Sequence, residues 1–217
     1  MCGYFKQKAV PVSVSQLYKS VDADKSTKVT VGKMATILSA SGHTSEATFG
    51  YVKQLPQGTK FIFNVRAEGF ENTSNNPDYS GPLTIHLNPW VSEAFQQNRV
   101  IIPVLSFTEV SELDGVKSAL EIGMKDGGMF ALGALVDTDI KRGIPGVSII
   151  TTLPFTQLKK EIGKERSPLI IAPDDIATWL DRNTPLPTAL ATLHKRNTWL
   201  FNLKKEPDSS TTQIGLF

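Results

Sequence analysis

Cys2 and Gly3, directly after the initiating methionine, are the first residues of this chain whose types and position could do chemistry. Methionine aminopeptidase removes Met1 when the second residue is small, and the mature chain would then begin with a 1,2-aminothiol. Because the reference pKa is about 7.7–8.0 for an α-amine and about 8.5 for a thiol, both groups keep a nucleophilic fraction near neutral pH. An aldehyde that meets them can form a Schiff base with the amine and then a thiazolidine ring with the thiol. An internal cysteine cannot form this ring.

A structural interpretation of Cys2 remains open beside the reactive one. A single free cysteine is usually a small buried hydrophobe, and chain termini are often disordered. Gly3 favours the reactive interpretation, because a residue without a side chain would let the terminus enter a narrow site.

The composition is that of an ordinary globular protein. The chain has 217 residues, of which 40% are hydrophobic and 20% charged, and this length suits one domain. No apolar run approaches the roughly 18 residues of a membrane span, and residues 1–20 lack the apolar segment of a secretory signal. We therefore expect a cytoplasmic protein without membrane contact, located at the nucleoid or, if phage-borne, in the cytoplasm of the host cell.

The single cysteine and the three scattered histidines, His43, His86 and His194, predict neither an intrachain disulfide nor a metal cluster. We expect no metal and no cofactor, and we assign no role to the histidines.

The charge is mild overall, +2, but it is uneven along the chain. Residues 141–206 hold eleven Lys and Arg against six Asp and Glu. This excess weakly favours a polyanionic partner, and a solvated basic face explains it equally well.

The elements that must position these residues are mostly strands. The DG and GG pairs of "KDGG" at 125–128 supply the positive φ of a tight turn, which predicts an antiparallel pair over residues 119–136. The polar stretch 69–82 predicts a loop. The pattern is α+β, mainly antiparallel β with a few short helices. Predicted strands are Lys28–Val31, Phe61–Arg66, Leu83–Leu87, Val100–Leu105, Ala119–Met124, Met129–Val136 and Gly146–Thr152. Predicted helices are Ser13–Tyr18, Pro89–Gln97, Thr156–Ile162 and Asp174–Arg182, the last with Asp174 as N-cap.

Four stretches, taken together in order and spacing, carry a resemblance. They are "MCG" at 1–3, "NVRAE" at 64–68, "IIPVLSFTEV" at 101–110, and "SIITTLPF" at 148–155 followed by "KERSPLIIAPDDIATWLDR" at 164–182. They resemble the SOS response-associated peptidase (SRAP) family of abasic-site processing proteins, which carries Met-Cys-Gly, Asn-x-Arg-x-Glu, Gly-Phe-Tyr-Glu-Trp, Ile-Thr-Thr, His-x-Arg-Met-Pro and Pro-x-x-Trp-Leu in this order. The resemblance covers residues 1–182. It implies a single SRAP-like domain over 1–217 with a barrel-like core and a divergent extension at 183–217.

The resemblance implies roles for the matched residues. Cys2 would attach to the aldehyde of an abasic (AP) site in single-stranded DNA as a thiazolidine. Asn64 would lie near the terminal cysteine, and Arg66 would bind a DNA phosphate through bidentate hydrogen bonds. An ion pair of Arg66 with Glu68 or another carboxylate is the alternative. Glu109 would assist opening of the sugar and the proton transfers of imine formation, and the alternative is a surface Glu at a strand end.

The sequence departs from the family at several positions. Arg166 and Pro168 set the alignment that puts Lys164 at the family histidine, and a protonated lysine would bind phosphate or stabilise an alkoxide but be a poor base. We expect Arg166 to contact DNA as well.

The aromatic residues of the family are also changed. Thr108 and Val110 replace the aromatics that flank Glu109, and "FGYV" at 49–52 replaces a Trp-Gly-Leu segment. Phe49 and Tyr51 could stack on a base next to the lesion, worth about 1–3 kcal/mol per base, or be core residues.

Three functions follow. The first is a covalent AP-site protein that crosslinks through Cys2 after an aminopeptidase or self-processing removes Met1, with single-stranded DNA as partner and the protein as a monomer. The second is a divergent scaffold that binds single-stranded DNA without efficient chemistry, and the third is a scaffold for protein contacts alone.

Overall fold

The computed structural model describes residues 3–8, 13–19, 26–113, 116–194 and 201–205. Within these ranges the chain forms mostly antiparallel sheets with short helices, which confirms the predicted α+β class. The strands are β1 (Tyr4–Lys8), β2 (Ser26–Thr30), β3 (Met34–Leu38), β4 (Thr44–Phe49), β5 (Tyr51–Leu55), β6 (Gly58–Ile62), β7 (Asn64–Arg66), β8 (Arg99–Val104), β9 (Ser106–Leu113), β10 (Val116–Met124), β11 (Phe130–Asp139), β12 (Ile144–Thr152), β13 (Ser167–Pro168), β14 (Ile170–Ile171) and β15 (Phe201–Lys205). The helices are α1 (Ser92–Gln97), α2 (Thr156–Ile162), α3 (Ile176–Leu180) and α4 (Leu186–His194), with 3-10 turns at Val14–Gln16, Ile85–Leu87 and Pro173–Asp175. None of these helices is long and apolar enough to cross a bilayer.

Five strands close into a barrel in the order β12, β4, β3, β8 and β11, because β11 pairs with β12 as well as with β8. The contact between β4 and β12 is parallel and short, with Gly146 opposite Thr48 and Val147 opposite Phe49. A Cβ on Gly146 would lie 2.3 Å from the Cβ of Tyr51. Closure of the barrel at this point therefore requires a residue without a side chain.

Strand β8 of the barrel is buried on both faces. All six residues of β8 are buried, and alternate side chains face different cores. Val100 and Ile102 pack in the core shared with the second sheet, whereas Ile101 packs in the core that Phe95 and Trp179 cover from the helices. Burial on both faces produces the continuous apolar run by which this strand is recognisable in the sequence.

The second sheet is antiparallel, with the strand order β15, β10, β9, β1 and β2. Its central strands carry both the N-terminal segment and the segment around Glu109. Lys6 of β1 forms an ion pair of 2.7 Å with Glu121 of β10, across the intervening strand β9. β15 lies in the predicted extension 183–217 and completes this sheet, while residues 206–217 are outside the described ranges.

Most strand predictions are confirmed, although Phe61–Arg66 is divided between β6 and β7. The strand at Leu83–Leu87 is wrong, because these residues form a loop and the 3-10 turn Ile85–Leu87. Leu83 and Ile85 are buried in the core, so a short apolar run there reflects burial and not a strand.

The predicted antiparallel pair over residues 119–136 is also wrong. The turn at 125–128 forms, since Gly127 has a φ of 74° and its N–H donates to the Met124 carbonyl at 3.0 Å. However, β10 pairs with β9 and β15, whereas β11 pairs with β8, β12 and β14. The turn residues reverse the chain locally. The strands that pair with β10 and β11 are other segments of the chain, and β10 and β11 do not pair with each other.

The helix at Thr156–Ile162 is confirmed by α2, and the other helices are shorter than predicted. Residues 13–18 contain only the 3-10 turn, and α1 begins at Ser92 and not at Pro89. Asp174 is not the N-cap of α3, because it lies inside the 3-10 turn Pro173–Asp175 that precedes the helix.

Candidate active site beside the N-terminal strand

The N-terminal strand runs antiparallel to β9, with Tyr4 opposite Thr108. Glu109 follows Thr108 in β9. The first residue of β1 therefore lies beside the strand position of that carboxylate. Lys28 of β2 holds its Nζ 3.6 Å from the centroid of the Tyr4 ring, a cation–π contact at this end of the sheet. Cys2 lies outside the described residues. Gly3 is exposed, and a Cβ on it would have no described atom within 4 Å, so the described residues form no narrow passage there.

Glu109 is buried in the middle of β9, with 1% of its surface exposed. It shares a face of the strand with Phe107 and Ser111, both buried. Helix α2 covers this face, and Ser111 Oγ donates a hydrogen bond of 2.8 Å to the Ile162 carbonyl. The alternative of a surface carboxylate at a strand end is therefore wrong.

Lys164 is the charge partner of this buried carboxylate. Gly163 ends α2 in the left-handed conformation, with a φ of 63°, and turns the chain back over β9. Lys164 Nζ then lies 3.4 Å from Glu109 Oε2 and donates to the Val110 carbonyl, while its side chain is 18% exposed. A buried carboxylate is costly unless paired with a cation. Lys164 thus provides a positive charge and ammonium protons beside Glu109.

Asn64 and Arg66 flank Val65 in strand β7, and the Val65 side chain is buried in the core. Strand β7 runs parallel to β12, with Asn64 opposite Ile149 and Arg66 opposite Thr151. Arg66 Nη1 donates to the carbonyls of Asn72 and Thr73 at 3.1 and 3.5 Å. Arg66 therefore anchors the loop 69–82, which has neither helix nor strand, as predicted.

The "NVR" segment borders a groove of about 280 Å³. Asn64 and Arg66 lie along one wall, and the loop residues Gly69, Phe70 and Thr73 contribute to the rest. Other side chains of the lining are Lys60 and Trp90, which the sequence did not single out. Neither residue belongs to a sequence motif. Only the fold brings this lysine and this tryptophan beside Asn64 and Arg66.

Glu68 and Arg166 form a buried ion pair that the sequence did not predict. Arg166 Nη2 lies 2.7 Å from Glu68 Oε2, and the two side chains are 6% and 0% exposed. The same nitrogen donates to the Thr151 carbonyl at 2.9 Å. The guanidinium is thus directed into the protein, which corrects the expectation that Arg166 contacts DNA. An ion pair between Arg66 and Glu68 is therefore wrong, since the partner of Glu68 is Arg166.

This ion pair joins the two parts of the site. Glu68 is two residues from Arg66, and Arg166 is two residues from Lys164. The chain between Lys164 and Pro168 therefore connects the Glu109 contact with the "NVRAE" segment, and Pro168 is held opposite Thr151 in β13.

Phe49 and Tyr51 are core residues and not stacking platforms. Both are 0% exposed. The Phe49 ring packs 5.2 Å from Phe5 and 6.2 Å from Phe63, measured between centroids. Burial raises the pKa of the Tyr51 hydroxyl far above its ordinary value, which keeps it neutral. A ring without exposed surface cannot stack on a base, so the core alternative is the correct one for both residues.

Among the described residues, no three His, Cys, Asp or Glu side chains come close enough together to hold a metal ion.

Three of the solved structures that match this fold come from two bacteria. A protein from Bacteroides thetaiotaomicron aligns with a TM-score of 0.69 at 17% identity, over 95% of this chain and 93% of its own. A phage-related protein from Bordetella bronchiseptica aligns with a TM-score of 0.68 at 18% identity, over 94% of both chains. A second Bordetella bronchiseptica protein gives 0.67 at 15% identity, over 95% of this chain and all of its own. At these identities the likeness concerns the fold.

No curated protein matches the chain. The family model for SOS response associated peptidase (SRAP) matches residues 1–205, which include the N-terminal strand, "NVRAE", Glu109 and the segment 164–168. This chain therefore belongs to the SRAP family.

Proposed function

We propose that this protein attaches covalently to AP sites in single-stranded DNA through Cys2, after Met1 has been removed by an aminopeptidase or by the protein itself. Membership of the SRAP family associates the chain with the SOS response and so with DNA lesions. The observation that supports the finer proposal most strongly is the register of β1. Tyr4 pairs with Thr108, beside Glu109. Two residues span at most about 7 Å, so Cys2 is covalently tethered within that distance of Tyr4.

The proposed reaction is a condensation without an external reagent. The α-amine of Cys2 adds to the aldehyde carbon of the ring-opened sugar, and the resulting carbinolamine loses water to give an imine. The thiol then adds to the imine carbon, and its proton goes to the nitrogen, which closes the thiazolidine. One C–N bond and one C–S bond form, and the aldehyde oxygen leaves as water.

Glu109 is the proposed proton carrier for these steps. A carboxylate can accept a proton from the attacking amine and return it to the departing hydroxyl. Lys164, 3.4 Å from that carboxylate, supplies a positive charge that stabilises an alkoxide on the opened sugar.

Asn64 and Arg66 are proposed to position the strand. Among the described residues only Nη1 of Arg66 is used in hydrogen bonds, and these go to loop carbonyls. Nε and Nη2 keep N–H groups for a phosphate. The Asn64 amide can hold the terminal amine or a backbone oxygen of the strand.

Incubation of the tag-free protein with a single-stranded oligonucleotide that carries one AP site tests the proposal. A heat-stable shifted band on a denaturing gel is expected for wild type and is expected to be absent for Cys2→Ala and for an undamaged oligonucleotide. Mass spectrometry of the same preparation establishes whether Met1 has been removed. A Cys2→Ala variant that crosslinks as well as wild type would overturn the assignment, and so would a wild-type protein that begins at Cys2 and gives no band.

Non-covalent binding of single-stranded DNA is the second candidate, favoured by Lys164 at the position of the family histidine. It predicts salt-sensitive binding without preference for an AP site. A strong preference for the AP oligonucleotide contradicts it.

A further inference from the structure

Strand β1 is attached to the barrel by a glutamine side chain. Gln7 is 4% exposed and lies on the same face of β1 as Phe5. Phe5 is fully buried, with its ring 5.2 Å from that of Phe49, measured between centroids. Apolar packing of this kind has no preferred direction, whereas a buried polar side chain needs hydrogen-bond partners at defined places. The partners of Gln7 therefore show what holds the strand in register.

The Gln7 side chain reaches a gap between two barrel strands. β3 and β8 pair directly at Leu38 and Ile101. The same antiparallel register, continued by two residues, puts Thr36 opposite Pro103. Proline has no backbone N–H, so Pro103 cannot donate to the Thr36 carbonyl. The ladder between these two strands is therefore incomplete at this point, and the Thr36 carbonyl needs another donor.

The Gln7 amide satisfies the backbone groups in this gap. Gln7 Nε2 donates to the Thr36 carbonyl at 2.8 Å and to the Pro103 carbonyl at 2.9 Å. Gln7 Oε1 accepts a hydrogen bond of 2.9 Å from the Thr36 backbone N–H. Both amide N–H groups and the amide oxygen are thus engaged. The side chain supplies the donor that proline lacks and connects β1 to both β3 and β8.

These hydrogen bonds select one register of β1. A slide of the strand by two residues would keep the same face toward the barrel but would put another side chain, such as Phe5, at the gap. A phenylalanine cannot replace the amide, so the backbone groups of Thr36 and Pro103 would lose their partners. The slide would move β1 by roughly 7 Å, which is as far as the two residues from Tyr4 to Cys2 can span.

We propose that Gln7 is a positioning residue: its side chain fixes the register of β1 on the barrel and thereby sets the reach of Cys2 toward Glu109. The connection runs within one strand, because Tyr4 of β1 pairs with Thr108, the neighbour of Glu109. The anchoring of the strand follows from the hydrogen bonds of Gln7. The part that concerns Cys2 rests on the proposed function.

Hydrogen exchange of the full-length protein tests the anchor without DNA. Gln7→Met keeps the length of the side chain and removes its amide. We expect the Thr36 amide, which donates to Gln7 Oε1, to lose protection by about tenfold or more. The Leu105 amide, which donates to the Lys6 carbonyl of β1, is expected to lose protection as well. Wild-type protection of both amides in the variant would overturn the proposal.

Gln7→Asn decides the result if Gln7→Met does not fold. It keeps an amide but shortens its reach by one methylene group, so the bonds to β3 and β8 cannot both keep their geometry. We expect the same two amides to lose protection, and wild-type protection in this variant would equally overturn the proposal.

The kinetics of crosslinking to a single-stranded AP oligonucleotide test the effect on the reaction. A misplaced reactive group slows the chemical step without weakening the binding of the strand. In folded Gln7→Met we therefore expect the first-order rate at saturating oligonucleotide to fall by about 10- to 100-fold. The half-saturating concentration is expected to stay within about threefold of wild type. A variant that reacts at the wild-type rate, or one in which only the half-saturating concentration changes, would contradict a positioning role.

Gln157→Met is the matched control. The Gln157 side chain also bridges backbone groups, since Nε2 donates to the Phe201 carbonyl at 3.0 Å and Oε1 accepts from the Phe201 N–H at 2.9 Å. These bonds join α2 to β15 and not β1 to the barrel. We expect this variant to crosslink at the wild-type rate. Equal slowing by Gln157→Met and Gln7→Met would overturn the proposal, because loss of any bridging amide would then be sufficient.

The two tests can fail separately from the proposed function. If wild type gives no crosslink, the proposed function fails, and exchange of the Thr36 amide still decides whether Gln7 anchors the strand. If crosslinking depends on Cys2 but is as fast in folded Gln7→Met as in wild type, the proposed function stands and Gln7 is not a positioning residue.

Discussion

Lys164 Nζ lies 3.4 Å from Glu109 Oε2 and also donates to the carbonyl of the next residue, Val110. The lysine therefore contacts both a side chain and the backbone of β9 near the point where β1 begins. Glu109 is 1% exposed, so the two charges interact with little screening by water. This contact puts Lys164, which we predict to stand at the position of the family histidine, against Glu109, the proposed proton carrier.

We expect Lys164→Met to slow crosslink formation by about tenfold to a hundredfold, because it removes the cation from Glu109 and leaves the carboxylate without its ionic partner. Lys164→His restores a group that is partly neutral near pH 7 and is expected to accelerate reversal of the crosslink. Time courses on denaturing gels measure both rates. Lys160→Met is the control, since Lys160 is exposed on α2. Equal slowing by Lys160→Met and Lys164→Met would show that general basic charge, not the Glu109 contact, matters.

The buried pair of Glu68 and Arg166 predicts a large effect on stability. Arg166→Met leaves the Glu68 carboxylate buried without its partner, and we expect the free energy of unfolding to fall by about 3–5 kcal/mol. The double variant Glu68→Leu with Arg166→Met removes both charges and is expected to recover much of this loss. Urea unfolding followed by circular dichroism measures both. Asp78→Asn is the matched control, because the Lys159–Asp78 pair is exposed and is worth at most about 1 kcal/mol. If Arg166→Met alone were as stable as the double variant, burial of an unpaired Glu68 carboxylate would not be the cause of the loss.

Local sequence patterns predict the strands that are buried on both faces and the residues of the short motifs. The run around β8 is recognisable because continuous apolar residues are needed there, and Glu109 is recognisable through its family match. Which strands pair cannot be read from such patterns. The turn at 125–128 forms as predicted, but β10 and β11 belong to different sheets.

Long-range contacts also decide which site residues face the ligand. Arg166 and Arg66 have the same chemistry in the sequence, yet only Arg166 meets the Glu68 carboxylate and is buried. Phe49 and Trp90 are both aromatic residues near turns, and the fold buries the first in the core while the second lines the groove. Burial depends on residues far along the chain, so no local pattern separates these pairs.

Gly146 and Gly3 differ in the space that is available for a side-chain methyl group. A Cβ on Gly146 would lie 2.3 Å from the Cβ of Tyr51 at the point where the barrel closes, whereas a Cβ on Gly3 would meet no described atom within 4 Å. We expect Gly146→Ala to reduce the free energy of unfolding by about 1–3 kcal/mol through overpacking. Gly3→Ala is expected to leave both stability and crosslinking within error of wild type. Urea unfolding and the crosslinking gel measure these effects, and loss of crosslinking in a stable Gly3→Ala protein would point to a narrow passage at the terminus.

The ion pair between Lys6 and Glu121 is expected to hold β1 against the sheet in a pH-dependent way. Burial raises the pKa of Glu121, but the hydrogen bonds from Lys6 and Ser106 and the charges of Lys6 and Lys204 outweigh it, so the pKa falls below its ordinary value of 4.5. A carboxyl whose pKa is lower in the folded state stabilises the fold above its unfolded pKa, and this contribution is lost as the pH falls through the folded pKa.

Glu121→Gln keeps the shape of the side chain and removes its charge. We therefore expect wild type to be more stable than Glu121→Gln at pH 7 and the difference to shrink as the pH falls below about 4.5. Because Cys2 is joined to β1, whose Tyr4 pairs with Thr108 beside Glu109, the variant is also expected to crosslink more slowly at pH 7. Urea unfolding from pH 3 to 8 measures the first effect and the crosslinking gel the second. A stability difference that persists unchanged at pH 3 would mean that the amide perturbs packing, and that the Lys6–Glu121 charge pair does not hold the strand.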